Sequence, residues 1–293
     1  MNDTIRKPHR HFTSFQVIIL GFFSVILLGS LLLMLPFATR DGQGASFSDG
    51  LFTATSAVCV TGLIVHDTAT YWSEFGQAII LALIQIGGMG VVTIAVSIAV
   101  ASGRKIGLMQ RSTMQEAISA HQVGGIVRLT KFILKTSILI ELIGALILSP
   151  VFCRDFGLLK GIWYSVFHSV SAFCNAGFDL IGIREQYSSL TTYVTNPVIN
   201  LTIMILIITG GLGFVTWADI QKNKLHFRKY TMQSKVILTV TSILLILPAV
   251  YFFFCEFTGL SLGERVLSSM FQAVTPRTAG FNTVDLTLIS ETG

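Results

Sequence analysis

An all-α polytopic membrane protein made of repeated units is the fold class this sequence predicts. Each unit reads as a spanning helix, a short re-entrant helix with a turn, and a second spanning helix. Three observations carry the prediction: composition, five long apolar stretches, and a motif that recurs between them. The 293 residues are 52% hydrophobic and only 12% charged, with a mean hydropathy of +0.72. A soluble domain carries roughly 25% charged residues. So apolar a chain is not disordered, and its unit of organisation is the membrane-crossing helix.

The apolar stretches run over Phe15–Phe37, Gly76–Ala101, Ile126–Phe152, Pro197–Trp217 and Ser234–Phe257. Each is long enough to cross a hydrocarbon layer of about 30 Å. The first is too long for a signal-peptide core and lacks a small-residue cleavage site, so it is read as retained. The third carries Arg128, Lys131 and Lys135 at its start, within snorkelling reach of an interface, and Glu141 deeper in. An intramembrane carboxylate is a functional candidate by default. The simpler reading gives Glu141 a hydrogen bond to a neighbouring helix.

Orientation follows from the basic residues. With the N-terminus inside, 14 of the 20 Lys and Arg fall on inner segments, including Arg6, Lys7, Arg10, Arg104, Lys105, Lys222, Lys224, Arg228 and Lys229. Eleven of the 15 Asp and Glu fall outside, among them Asp67, Asp179 and Asp285. The pI of 9.1 is therefore a topology signal and not a nucleic-acid footprint. The inner basic residues also suit anionic lipid or a cytoplasmic partner. The acidic outer face concentrates cations.

The outer connections repeat. Phe52-Thr-Ala-Thr-Ser-Ala-Val-Cys-Val-Thr-Gly62-Leu63 matches Phe167-His-Ser-Val-Ser-Ala-Phe-Cys-Asn-Ala-Gly177-Phe178 and Phe271-Gln-Ala-Val-Thr-Pro-Arg-Thr-Ala-Gly280-Phe281. A hydroxyl follows each Phe by four residues, at Ser56, Ser171 and Thr275, and the Gly follows by ten, ten and nine. The following spans repeat as well, with Gly87-Gly88-Met-Gly90-Val-Val-Thr93 against Gly210-Gly211-Leu-Gly213-Phe-Val-Thr216. Such clusters allow close helix packing or mark a bend; close packing is the reading adopted. Pore repeat 1 then covers 1–101, a linker 102–125, pore repeat 2 126–217, a second linker 218–233, and a partial repeat 3 234–293. The short apolar segments are too short to span. Irregular backbone at membrane depth is tolerated only inside protein or beside a water-filled path. Gly lets successive carbonyls point one way, and carbonyls from several units replace an ion's hydration shell. The re-entrant helices aim negative C-terminal ends at that path, which favours a cation.

Other residues have plainer readings. Ser56, Ser171 and Thr275 are expected to satisfy backbone groups near each turn. Cys59 and Cys174 are expected as small buried packing residues. Nothing supports a disulfide for Cys153 and Cys255. His168 reads as a hydrogen-bonded packing residue and not a sensor. Arg277, beside the third turn, needs a partner, with Asp67 or Glu264 as the expected carboxylate.

With "SAVCVTGL", "SAFCNAGFDL", "FQAVTPRTAGFN" and "IQIGGMG", the unit pattern resembles the ion-translocating subunit of the Ktr/Trk/HKT potassium transporter superfamily, and within it the KtrB-type bacterial proteins. The resemblance runs from the first span to Asn282. It implies four pseudo-repeats around one central, potassium-channel-like pore, with one key Gly per repeat: Gly62, Gly177 and Gly280 here. Val60, Thr61, Asn175, Ala176, Thr278 and Ala279 would flank them and offer carbonyls, and Thr61 its hydroxyl as well. In plant relatives a Ser at the first filter Gly goes with sodium selectivity, so three Gly turns imply potassium. The resemblance further implies sodium-aided uptake across the cell membrane by a homodimer. A cytoplasmic ring of nucleotide-binding, KtrA-type regulatory subunits would bind it. No cofactor, no metal beyond transported potassium and no enzymatic activity are implied. The chain stops just after the third turn, without the second helix of repeat three or a fourth repeat. The expectation is a fragment of a longer product, or a truncated one without function. A secondary transporter with broken helices is the main rival. An intramembrane enzyme lacks support, since neither His-Glu-x-x-His nor Gly-x-Ser-x-Gly occurs.

Overall fold

The computed structural model describes residues 13–102, 107–117, 125–224 and 226–290; Arg6, Lys7, Arg10, Arg104 and Lys105 lie outside them. Helices α1 (Ser14–Leu33), α2 (Phe47–Cys59), α3 (Glu74–Met89), α4 (Val91–Ala101), α5 (Leu108–Ala117) and α6 (Ile126–Phe156) come first. Then follow α7 (Leu158–Phe173), α8 (Pro197–Gly211), α9 (Phe214–Asn223), α10 (Met232–Tyr251) and α11 (Leu262–Val274). Among the described residues, β pairing is limited to one bridge, Thr39 to Trp72, which joins the segments before and after α2.

Hydroxyl caps set several starts. The Thr13 side chain accepts from the Gln16 N–H, and Gln16 returns the bond to the Thr13 N–H. The Ser46, Ser73 and Thr231 side chains accept from the Asp49, Gly76 and Ser234 N–H groups to cap α2, α3 and α10, which satisfies amides that have no intrahelical partner. α10 runs past Pro248 into a π turn over Phe252–Glu256. Arg265 of α11 donates to the Phe253 carbonyl in that turn and lies over its ring.

Among the described residues, three helices are long and apolar enough to cross a membrane: α1, α6 and α10 with its π turn. The other two expected spans are not single helices. α3 and α4 meet at 94°, and α8 and α9 at 97°. Gly90 (φ 83°) and Gly213 (φ 81°) sit at the breaks, in a backbone that L side chains rarely adopt. The short segments that precede the three motif turns form helices of 13, 16 and 13 residues, α2, α7 and α11.

The Gly clusters serve close packing too. A Cβ at Gly87 would stand 2.1 Å from the Val58 carbonyl oxygen, and one at Gly210 would stand 1.7 Å from that of Phe173. Val58 and Phe173 are matched positions near the ends of α2 and α7. One level out, a Cβ at Gly29 would meet Leu83, and one at Gly144 would meet Leu206. α2 and α7 thus sit on the same kind of backbone notch. One apolar core runs through these elements, centred on Trp72, Phe152, Phe167, Phe178, Phe271 and Phe281. The outer faces of α1, α6 and α10 stay apolar and uncovered, as at Leu31, Leu146 and Leu247. That distribution suits a lipid environment.

Candidate functional site: three matched turns

Helices α2, α7 and α11 each end at one of the motif turns. Three helix C-termini, with their partial negative charge, therefore point at the segments that carry the key glycines. The turns share a backbone frame. The Ser56 carbonyl accepts from the Thr61 N–H at 2.9 Å, Ser171 from Ala176 at 2.7 Å, and Thr275 from Ala279 at 3.1 Å. Gly62, Gly177 and Gly280 follow with φ of 76°, 73° and 76°. Each is in the left-handed region, where Gly alone is unstrained.

Val60 (φ 57°) and Asn175 (φ 59°) enter their turns left-handed. Asn tolerates this conformation, but a β-branched Val is a true outlier held by its surroundings. The third turn is entered differently. A 3₁₀ turn over Thr275–Arg277 delivers the chain to Thr278 at φ −161° and ψ −22°, so no left-handed residue precedes Gly280 there. One residue fewer lies between Phe and Gly there, and Pro276 shapes the approach.

The turns touch in order. A Cβ at Gly62 would lie 2.7 Å from the Ala176 carbonyl oxygen, and one at Gly177 would lie 2.2 Å from that of Ala279. The Thr278 hydroxyl donates to Asn175 Oδ1 at 2.8 Å. Val60, Thr61, Gly62, Asn175, Ala176, Gly177, Thr278, Ala279 and Gly280 therefore form one contiguous cluster. A Cβ at Gly280 would have nothing within 4 Å.

Polar side chains brace the cluster from behind. The Ser171 hydroxyl donates to the Phe178 carbonyl at 2.7 Å, and Thr275 to that of Phe281 at 2.6 Å. The first turn differs: Ser56 Oγ accepts from the Thr61 hydroxyl at 2.9 Å. The Thr61 proton is thereby engaged. His168 is fully buried. Its Nε2 accepts from the Leu180 N–H, so Nδ1 carries the proton and donates to the Tyr164 carbonyl at 2.7 Å. It is a neutral brace between α7 and the strand of chain leaving turn two.

Several expectations need correction. Arg277 donates to the Thr241 hydroxyl of α10 at 3.3 Å and, among the described residues, has no carboxylate partner. Asp67 is occupied by backbone amides, and Glu264 by Ser261 at the start of α11. Cys174 is buried, as expected, and fills the space above Gly88, but Cys59 is exposed. All four cysteines are free. Glu141 does find a neighbouring helix: Gln85 of α3 donates to its Oε1 at 2.9 Å, and the Ser169 hydroxyl donates to its backbone carbonyl at 2.6 Å. Gln85 stands five residues before the break at Gly90.

Sequence reasoning passed over the links between units. Trp163 Nε1 of α7 donates to Gln77 Oε1 of α3 at 2.9 Å, and Gln77 in turn donates to the Thr68 and Trp72 carbonyls. A polar Gln in an apolar stretch was the available signal.

The family model for cation transport proteins of the TrkH type matches residues 2–292. The potassium/sodium uptake protein NtpJ of Enterococcus hirae is 43% identical over 293 residues, covering 98% of this chain and 64% of that protein. Ktr system potassium uptake protein B of Bacillus subtilis is 44% identical over 280 residues, covering 94% and 61%. The protein of the same name in Vibrio alginolyticus is 35% identical over 286 residues, covering 94% and 61%. The chain thus spans less than two thirds of the length of these relatives.

Proposed function

The chain belongs to the TrkH family of cation transport proteins, and from that premise we propose that it forms part of a potassium uptake pathway across the cell membrane. Val60–Gly62, Asn175–Gly177 and Thr278–Gly280 line that path as a filter. The observation that carries the reading is the ordered contact of the three glycine turns, with Gly62 bedded against the Ala176 carbonyl and Gly177 against that of Ala279. Carbonyl dipoles replace a cation's hydration shell without binding it so tightly that it cannot leave. Three converging helix C-termini reinforce the negative potential. The relatives' names supply the cargo: potassium, with sodium beside it in NtpJ. Sodium-aided potassium uptake is the form proposed, with potassium as substrate and no cofactor.

The same reading places the N-terminus inside, on the distribution of Lys and Arg. It takes 1–101 and 126–217 as two pore repeats and 234–293 as part of a third, joined by inner linkers at 102–125 and 218–233. The two bent pairs, α3 with α4 and α8 with α9, close the inner ends of the repeats. The "Ktr system" in the relatives' names points to a multi-component assembly. The proposed assembly is a homodimer carrying a cytoplasmic, nucleotide-binding regulatory ring.

The test is potassium and sodium uptake by the intact gene product in a bacterium lacking its own potassium uptake systems. Gly62→Ser places a Cβ 2.7 Å from the Ala176 oxygen and strains a positive φ. The expected result is a lowered potassium-over-sodium preference at normal membrane abundance. An unchanged preference at that abundance refutes the filter assignment.

A further inference from the structure

The chain leaving turn two does more than connect it to α8. Two residues there, Tyr187 (φ 62°) and Ser189 (φ 52°), adopt left-handed backbone although neither is Gly, Asn or Asp. Such conformations persist only where surrounding contacts over-determine them. Each of these residues marks a contact with a different turn. The Tyr187 N–H donates to Asp67 Oδ2 at 3.1 Å. The Ser189 hydroxyl oxygen accepts from the Asn282 N–H at 3.1 Å, and the Leu190 N–H donates to the Asn282 carbonyl at 2.8 Å. Asp67 stands five residues beyond Gly62, and Asn282 stands two beyond Gly280. One short segment, covalently continuous with turn two, therefore grips the exits of turns one and three.

Asp67 is built for this grip. It is 5% exposed, and no cation lies within ion-pair distance of it among the described residues. Its Oδ1 accepts from the Ala69 N–H, the Thr70 N–H and the Thr70 hydroxyl at 2.9–3.0 Å, which leaves Oδ2 for Tyr187. A buried carboxylate without a counter-ion is tolerated only when its oxygens are fully hydrogen-bonded. Gly182 closes the remaining side, since a Cβ there would lie 1.9 Å from Oδ2.

We propose that residues 185–190 act as a strap that fixes the separation of turns one and three, with Asp67 and Ser189 as positioning residues for ion preference. The inference rests on the filter reading above and names what holds the filter's dimensions. A ring of carbonyls discriminates between cations by the number, spacing and stiffness of its oxygens. Turns two and three share the Thr278–Asn175 bond, but among the described residues no hydrogen bond joins turn one to turn three directly, so that separation must be set from behind.

The test uses Asp67→Asn and Ser189→Ala in the intact gene product, with potassium and sodium uptake kinetics and membrane abundance measured together. An Asn amide has one acceptor oxygen where Asp has two, so either the Tyr187 bond or the Ala69–Thr70 bonds are lost. Ser189→Ala deletes only the acceptor for Asn282. Asp67→Asn is expected to lower the ratio of Vmax/KM for potassium over sodium roughly tenfold, the scale of one charge-assisted hydrogen bond. Ser189→Ala is expected to lower it about threefold, the scale of one neutral hydrogen bond. A purely structural role lowers abundance, or scales both ions alike, and leaves the ratio at its wild-type value; that result overturns the strap. If Asp67→Asn does not reach the membrane, Ser189→Ala decides on the same criterion. Gly62→Ser is run alongside. A shifted ratio there with none in the strap variants rejects the strap alone; no shift in any variant rejects the filter reading and the strap with it.

Discussion

Substituting Gly87 by Ala tests whether α2 is seated by contact with α3. The added Cβ would lie 2.1 Å from the Val58 oxygen, 2.7 Å from its carbonyl carbon and 2.9 Å from its Cα. Relief requires a shift of about 1 Å, because non-bonded carbon and oxygen settle beyond about 3 Å. The obstacle is backbone on both sides, so no side chain can swing away. α2 would have to move, and Val58 lies only two residues before the left-handed Val60. Overpacking of this kind costs about 1–3 kcal/mol, against an intrinsic gain of up to about 1 kcal/mol for Ala over Gly within a helix. The net expectation is a loss of up to about 2 kcal/mol, larger for Gly210→Ala, where the approach is 1.7 Å. Thermal stability in detergent and potassium uptake should fall together, with a several-fold drop in membrane-resident protein. Gly263→Ala on α11 is the control, since a Cβ there meets nothing within 4 Å; it should be neutral or slightly stabilising. Wild-type stability and uptake in Gly87→Ala and Gly210→Ala would falsify the seating argument.

Three further outcomes are expected. Gln85→Leu removes the donor to Glu141 Oε1 and should destabilise by about 1–3 kcal/mol, the cost of a buried acceptor left bare; Glu141→Gln should be tolerated better in the same thermal assay. His168→Leu leaves the buried Leu180 N–H without its acceptor and should cost a similar about 1–3 kcal/mol, with potassium uptake reduced because Leu180 leaves turn two. Asp49 is held below the usual carboxylate range by the Ser46 hydroxyl and then by His66, 3.3 Å away. Its stabilising contribution is full above the ordinary carboxylate value and fades as pH falls through the lowered one. Asp49→Asn should flatten the acid limb of the stability–pH curve below about pH 4, and an unaltered limb would place the titration elsewhere.

The apolar stretches, the recurring motif and its glycines are legible in the residue order, because each is a local matter; the break of two of the five stretches into bent helix pairs is not. Twenty apolar residues answer to the thickness of a bilayer, and a Gly nine or ten residues past a Phe answers to a backbone that L side chains avoid. The neutral, bonded role of His168 and the interhelical bond of Glu141 were also within reach, since a buried polar group must find a partner. What lay beyond reach depends on how separate units meet. Whether Gly90 and Gly213 pack or bend is settled by the paths α4 and α9 take after the break, and the two readings have the same local sequence. Arg277 was matched to a carboxylate by charge alone, while the fold set it beside Thr241 and gave Asp67 to the nearby Ala69 and Thr70 amides and to that of Tyr187, 120 residues away. The left-handed Val60, Tyr187 and Ser189 run against their own preferences. Contacts from distant segments outweigh a local bias of about 1–3 kcal/mol, and such contacts exist only once the units are assembled.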